Sequence, residues 1–196
     1  MSGNDRHLVM PRPVALWVIG PVGSGKSTRI AGLHGFTVVD QDIELERLLR
    51  SSGLSLDTRE YDSDQATRFT ALRAEASDRT WRLVPELRRR GESIVFETSG
   101  NKPWLLAKEV DLNRQAGYDN LGVGVCCSLE DCLTQNRNRP RVLPDAVVRN
   151  TWEAFHQYLD AGVYDQIFGA GRFISLDHRA TIDIGAWVRT FLNKPF

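Results

Sequence analysis

Cysteine is scarce in this chain, and an excess of charge of either sign is missing altogether. Of 196 residues only three are cysteine. Cys126, Cys127 and Cys132 crowd into one short stretch, with no partners elsewhere to staple a disulfide framework or complete a metal site. The sequence therefore predicts buried or half-buried thiols in a reducing cytoplasm. His7, His34, His156 and His178 are dispersed, which argues against a histidine metal cluster. Lys plus Arg number 25 and Asp plus Glu 25, so the formal net charge is zero. A global attraction to nucleic acid or anionic membrane is excluded, and any polyanion site must be local. No apolar run approaches a membrane span, and MSGNDRHLVMPRP holds no stretch like a signal peptide. Neither an internal repeat, a low-complexity tract nor a break in composition divides the chain, which is read as a single domain over 1–196.

What is present is an alternation of strand and helix patterns. PVALWVIG at 13–20 is a short apolar run ending in glycine, the form of a strand buried on both faces. A short helix, KSTRIAGLHG, is expected to close at Gly35, followed by a strand FTVVD and a helix QDIELERLLR with Ile43, Leu45, Leu48 and Leu49 available for burial. From Asp64 to Arg90 the pattern is helical, with Phe69, Leu72, Ala76, Leu83 and Leu87 as apolar positions and Pro85 expected to bend or split it. SIVFE is a third strand, KPWLLAKEVDLNRQAGY a helix with Pro103 near its start, and LGVGVCC a fourth strand. Ser128 with Asp131 opens a further helix in a capping pattern, RFISLD is a fifth strand, and a helix through Trp187 and Leu192 closes the chain. This order predicts an α/β fold with a parallel five-stranded sheet flanked by helices and right-handed crossovers. Ligands in such sheets lie at the carboxyl ends of the strands, which puts Gly20, Asp40, Glu97 and Cys127 along one rim.

Gly20-Pro21-Val22-Gly23-Ser24-Gly25-Lys26-Ser27 fits G-x-x-x-x-G-K-[ST] between an apolar strand and a helix. Glycines let successive N–H groups point inward, and the helix after them adds positive field. Lys26 suits the β- and γ-phosphates and the Ser27 hydroxyl suits Mg²⁺, so the loop, through Thr28, is a candidate ATP site. Three further groups bear on the chemistry that binding would serve. Asp40 and Asp42 can accept a proton, sit on the metal or cap a helix. Glu97, with Thr98 and Ser99, can hold a metal-bound water, bind substrate or simply turn the chain. Arg137, Arg139 and Arg141 alternate in the loop 136–141 and are costly to hold together without anions, as in a lid of about 136–146 closing over a triphosphate.

GPVGSGKST, VVDQD, IVFETSG and LTQNRNRPRVLPDAVV together resemble the P-loop kinase family that includes the kinase domain of phage polynucleotide kinase and the zeta toxins, with shikimate kinase more distant. The resemblance runs from about Val14 to Phe168 and implies transfer of the γ-phosphate of ATP, with Mg²⁺, to a hydroxyl. It implies Lys26 as triphosphate lysine, Ser27 as metal ligand, Asp42 as general base and possible metal ligand, and Arg139 as the contact to the transferring phosphoryl. Arg137 and Arg141 would help bind ATP, and Asp40, Glu97, Thr98 and Ser99 would face the acceptor. Polynucleotide kinases carry an arginine directly before the lid asparagine, whereas Gln135 stands there in this chain.

The acceptor reading leans toward nucleic acid, a polynucleotide 5′-hydroxyl or a hydroxymethylated base. Arg82, Arg88, Arg89 and Arg90 would meet phosphate, with Trp81 and Trp104 as stacking surfaces. Against it, RRR at a helix C-terminus answers the helix dipole. A small-molecule kinase of zeta-toxin type and an NTPase regulator without transfer are the alternatives.

Overall fold

The computed structural model describes residues 12–31 and 33–192. Most of the N-terminal stretch MSGNDRHLVMPRP, including His7, lies outside the described residues. Five parallel strands form one sheet: β1 (Val14–Ile19), β2 (Thr37–Val39), β3 (Ile94–Thr98), β4 (Asp119–Cys126) and β5 (Phe173–Asp177), in the order β2-β3-β1-β4-β5. All six residues of β1 are buried, as a central strand covered on both faces requires. Alternation along it feeds two cores. Ala15, Trp17 and Ile19 pack with Phe96 against one layer of helices, while Val14, Leu16 and Val18 pack with Val95 and Val123 against the other.

The first layer holds α3 (Ser63–Arg90), α4 (Pro103–Gln115), α6 (Asp145–Asp160) and α7 (Val163–Phe168), contributing Val84, Leu87, Leu106, Val110, Phe155 and Tyr164. The second holds α1 (Lys26–Ile30) and α8 (Ile184–Leu192), through Ile30, Ile184 and Val188. Burial of each large apolar side chain in these layers contributes about 1.5–3 kcal/mol. Off the sheet edge, α2 (Gln41–Ser51) packs Leu45, Leu48 and Leu49 on Ala76 of α3. Finally α5 (Leu129–Arg137) packs Cys132 and Leu133 with Val148.

The expected fold class and its five parallel strands hold, and several local expectations are corrected. Ile43 is 64% exposed rather than buried, because Leu45, Leu48 and Leu49 already fill the inward stripe of α2. On α3 the buried positions are Ala76, Thr80, Val84 and Leu87, spaced four, four and three apart; Leu83 lies one residue off that stripe and is exposed. The helix runs through Pro85 without a break, since the ring sits on the exposed side and Val84 and Leu87 hold the backbone to the sheet. α1 ends at Ile30, where Leu33 N–H bonds back to the Ile30 carbonyl in a tightened turn, and Gly35 (φ 81°) belongs to the turn into β2.

The thiol expectation is also corrected. Cys127 and Cys132 form a disulfide and only Cys126 is free. Ser128 caps α5 by accepting from Asp131 N–H, and the turn it sets brings the two Cα atoms to 6.5 Å, within bridging reach. Among the described residues no helix is long and apolar enough to cross a membrane.

Candidate active site

The loop from Gly20 to Ser27 leaves the end of β1 at the center of the sheet and turns directly into α1. Two of its glycines are dictated by space and backbone. Gly23 has φ 79°, and a Cβ there would come within 2.2 Å of the Cys132 carbonyl oxygen, so the loop can rest on α5 only without a side chain. Gly25, at φ 82°, is the residue from which α1 starts. Val22 N–H donates to Thr151 Oγ1 of α6 at 3.3 Å. Pro21 and Ser24 are buried, and Ser24 Oγ has no hydrogen-bond partner. Thr28 is exposed on α1.

Lys26 is 8% exposed, and its Nζ donates to the carbonyls of Gly20 and Pro21, each at 2.9 Å. Burial pushes its pKa down, opposed chiefly by Glu97, whose Oε1 lies 3.8 Å away. Two carbonyls and one carboxylate thus hold the buried ammonium. Ser27 donates to the Glu97 carboxylate, 2.9 Å to Oε2. Thus Glu97, at the tip of β3, stands at the hydroxyl expected to meet the metal. Thr98 and Ser99 serve the turn after it: Thr98 Oγ1 accepts from Gly100 N–H at 3.2 Å, and Ser99 Oγ donates to Asn101 Oδ1 at 3.0 Å.

Asp40 closes β2 and caps α2, accepting from Asp42 N–H at 2.8 Å. Its carboxyl is pushed up to about 6, by burial first and then by the negative charges of Glu97 and Asp42. Asp42 takes a different neighbor. Arg141 Nη2 lies 2.5 Å from its Oδ2 and Arg139 Nη2 3.8 Å. Arg141 is 4% exposed, and its Nε, 3.7 Å from Glu46, lacks a hydrogen bond. Arg137 turns away to Asp145 of α6 at 2.6 Å. The three arginines therefore do not point at one place: two converge on Asp42 and one does not.

The segment carrying them is sewn down on both sides. Val142 forms a parallel bridge with Asp57, accepts from Thr58 N–H (3.0 Å) and Thr58 Oγ1 (3.1 Å), and donates to the Leu56 carbonyl (3.1 Å). Asn136, fully buried, donates to the Leu143 carbonyl (2.8 Å) and accepts from Leu143 N–H (3.2 Å). Sequence reasoning missed Thr58, and it read Asn136 as the lid asparagine without its bond to Leu143. Within the lid segment expected over 136–146, the backbone of Val142 and Leu143 is satisfied by protein. Gln135 lies over the loop, its Oε1 3.7 Å from where a Gly25 Cβ would stand.

A cleft of about 800 Å³ opens beside the loop, lined among others by Lys26, Asp40, Asp42, Glu97, Arg141 and Trp81. The arginines proposed to meet nucleic acid are elsewhere. Arg88, Arg89 and Arg90 end α3 where β3 begins, at the rim opposite the loop. Each is paired: Arg88 with Glu109 (2.6 Å), Arg89 with Glu86 (2.7 Å), and Arg90 with Glu86 (2.8 Å) and Glu92 (3.4 Å). Arg82 pairs with Asp78 at 2.6 Å. Trp104 is 62% exposed on α4.

A family model described as an AAA domain matches residues 16–161. Among solved structures, a candidate kinase from Chloroflexus aurantiacus is 16% identical with a TM-score of 0.60, over 93% of this chain and 97% of that one. The complex AvrRxo1-ORF1:-ORF2 with ATP gives 18% identity and a TM-score of 0.63 over 85% of this chain and 55% of that one. The PezAT toxin-antitoxin system of Streptococcus pneumoniae gives 14% and 0.58, over 90% and 77%. At such identities the likeness is one of fold. No curated protein matches the chain in sequence.

Proposed function

The chain belongs to the AAA domain family, and from that premise we propose that it is an ATP-dependent phosphotransferase acting on an alcohol. The observation that carries the proposal is the convergence, beside one nucleotide loop, of a buried lysine and three carboxylates, one of them held by two arginines. Support comes from the fold likeness to a candidate kinase and to a complex described with ATP.

Lys26 would give up its carbonyl contacts for the β- and γ-phosphates, cradled by Gly20 through Thr28. The Ser27 and Glu97 oxygens, already hydrogen-bonded to each other, suit Mg²⁺, which takes one or two protein oxygens together with substrate phosphates. Among the described residues no group of three or more acids, histidines or cysteines forms a cage of its own. Mg²⁺, when bound, neutralises charge building on the phosphate oxygens. This makes Glu97 the partner of Ser27 on the metal side, and releases Asp42 from that duty. Asp42, oriented by Arg141 and Arg139, takes the proton of the acceptor hydroxyl. The acceptor oxygen bonds to the γ-phosphorus as the bond to the β,γ-bridging oxygen breaks, and ADP leaves. Arg139, nearer the surface than Arg141, steadies the moving phosphoryl.

For the acceptor, the geometry favors a compact alcohol over a polynucleotide, since Arg88, Arg89 and Arg90 at the end of α3 are paired and on the far rim. The polynucleotide or hydroxymethylated-base reading is supported by Trp81, partly exposed at the cleft, and by Arg73 on the same lining. Incubation with γ-labelled ATP and a panel of oligonucleotides, hydroxymethylated duplex and small alcohols separates these readings. Lys26→Ala should lower product formation by about 10²–10³-fold. ATP consumed with no phosphorylated product from any alcohol would reduce the protein to an NTPase.

A further inference from the structure

Three large apolar side chains that face solvent share one space. Trp81 of α3 (37% exposed), Leu105 of α4 (48%) and Val147 of α6 (39%) all line the cleft beside the nucleotide loop. Apolar surface left open within a charged rim marks a place where a ligand sits. Behind Trp81 the rings continue inward. Its plane lies within 14° of Phe96 at 5.9 Å, and Phe96 lies within 14° of Trp17 at 4.1 Å. Trp17 Nε1 donates to Asn120 Oδ1 at 3.3 Å, so the innermost ring is fixed to the sheet. Trp81 is thus the outer leaf of a rigid stack, with its orientation set before any ligand arrives.

The stack also has a fixed relation to the chemistry. Phe96 directly precedes Glu97 in β3, and both line the cleft, so the ring stack and the acid that accepts from Ser27 are carried by one strand end. Ser77 and Arg73, one and two turns before Trp81 on α3, line the same wall and offer polar contacts to a ring edge. A volume of about 800 Å³ has room for a ligand of drug-like size.

We propose that the acceptor is a small alcohol of nucleoside size whose planar ring lies against Trp81, between Leu105 and Val147, with its hydroxyl toward Asp42 and Glu97. This rests on the phosphotransferase reading and names the substrate class for it. Stacking on Trp81 supplies affinity, and the single ring plane fixes which hydroxyl reaches the acids.

The test is calorimetric titration of the whole protein, saturated with Mg²⁺ and a non-hydrolysable ATP analog, by adenosine, uridine, thymidine and ribose. Trp81→Ala and Trp81→Phe are titrated alongside, and label transfer from γ-labelled ATP is measured separately. Nucleosides should bind at least about tenfold tighter than ribose, Trp81→Ala should lose about tenfold, and Trp81→Phe should keep most of the affinity. Thermal melting of both variants checks that they fold, and the nucleoside-to-ribose ratio of the parent protein keeps the test alive if the alanine variant does not. Nucleosides binding no better than ribose, or binding unchanged in both variants, would overturn the assignment, as would an oligonucleotide outcompeting its own nucleoside. Trp81-dependent binding without labelled product upholds the ring-binding site and sinks both the phosphotransferase reading and the acceptor role. Transfer to ribose indifferent to Trp81 does the reverse.

Discussion

Two runs of three arginines stand in this chain, and they have little in common once folded. Arg137, Arg139 and Arg141 come at the end of α5 and just beyond it; Arg88, Arg89 and Arg90 finish α3. In the first run Arg141 is buried against Asp42 and Glu46, and Arg139 reaches the same Asp42 from a half-buried position. In the second, the exposed Arg89 and Arg90 pair with a half-buried glutamate three or four residues back on their own helix, where each pair is worth little and salt screens it. Density of positive charge in the sequence does not distinguish them. Desolvation does, because a buried guanidinium demands a partner and so fixes that partner's position.

The sharpest way to break this contrast is Asp42→Asn, which should lower phosphoryl transfer by about 10²–10⁴-fold while ATP affinity measured by titration stays near the parent value. Transfer at the parent rate would remove Asp42 from the chemistry and leave Arg141 without a functional client. Arg141→Ala comes next. It strands a carboxylate that is 45% exposed, so the cost is discounted from a fully buried pair to about 2 kcal/mol, or roughly 4–8 °C in melting temperature. Arg139→Ala should leave the melting temperature within about 2 °C yet slow turnover by roughly tenfold, separating an orienting arginine from a structural one. Smallest is the double change Arg89→Ala with Arg90→Ala, which should shift melting by no more than about 1 °C and leave transfer unaltered. A large loss there would mean the far rim takes part after all.

The same physics decides how much of the molecule is legible in its sequence. Strands buried on both faces announce themselves as short apolar runs, so β1 through β5 are readable, and the nucleotide loop is readable because its glycines, lysine and serine have few other uses at that spacing. The three acids stand out in the sequence, but their assignments do not. Glu97 reads equally as a metal-side or an acceptor-side acid, and only the register Val18↔Glu97 brings it beside the end of β1, where Ser27 donates to it. Nothing local marks Arg141 as the inward arginine, since burial there depends on α2 supplying Asp42 and Glu46 from about a hundred residues earlier. The Cys127–Cys132 pairing is likewise invisible, as it depends on how tightly the turn after β4 doubles back. Trp81 carries the right surface chemistry in the sequence, yet Arg88, Arg89 and Arg90, read together with it, end α3 at the other rim.

The bridge at Val142 has one more implication. Thr58, 84 positions away, grips its carbonyl through both backbone N–H and side-chain hydroxyl. The outlying connection between α2 and α3 therefore works as an outrigger for Arg141, and lengthening that connection should retune the spacing between acid and lysine from a part of the molecule that touches neither.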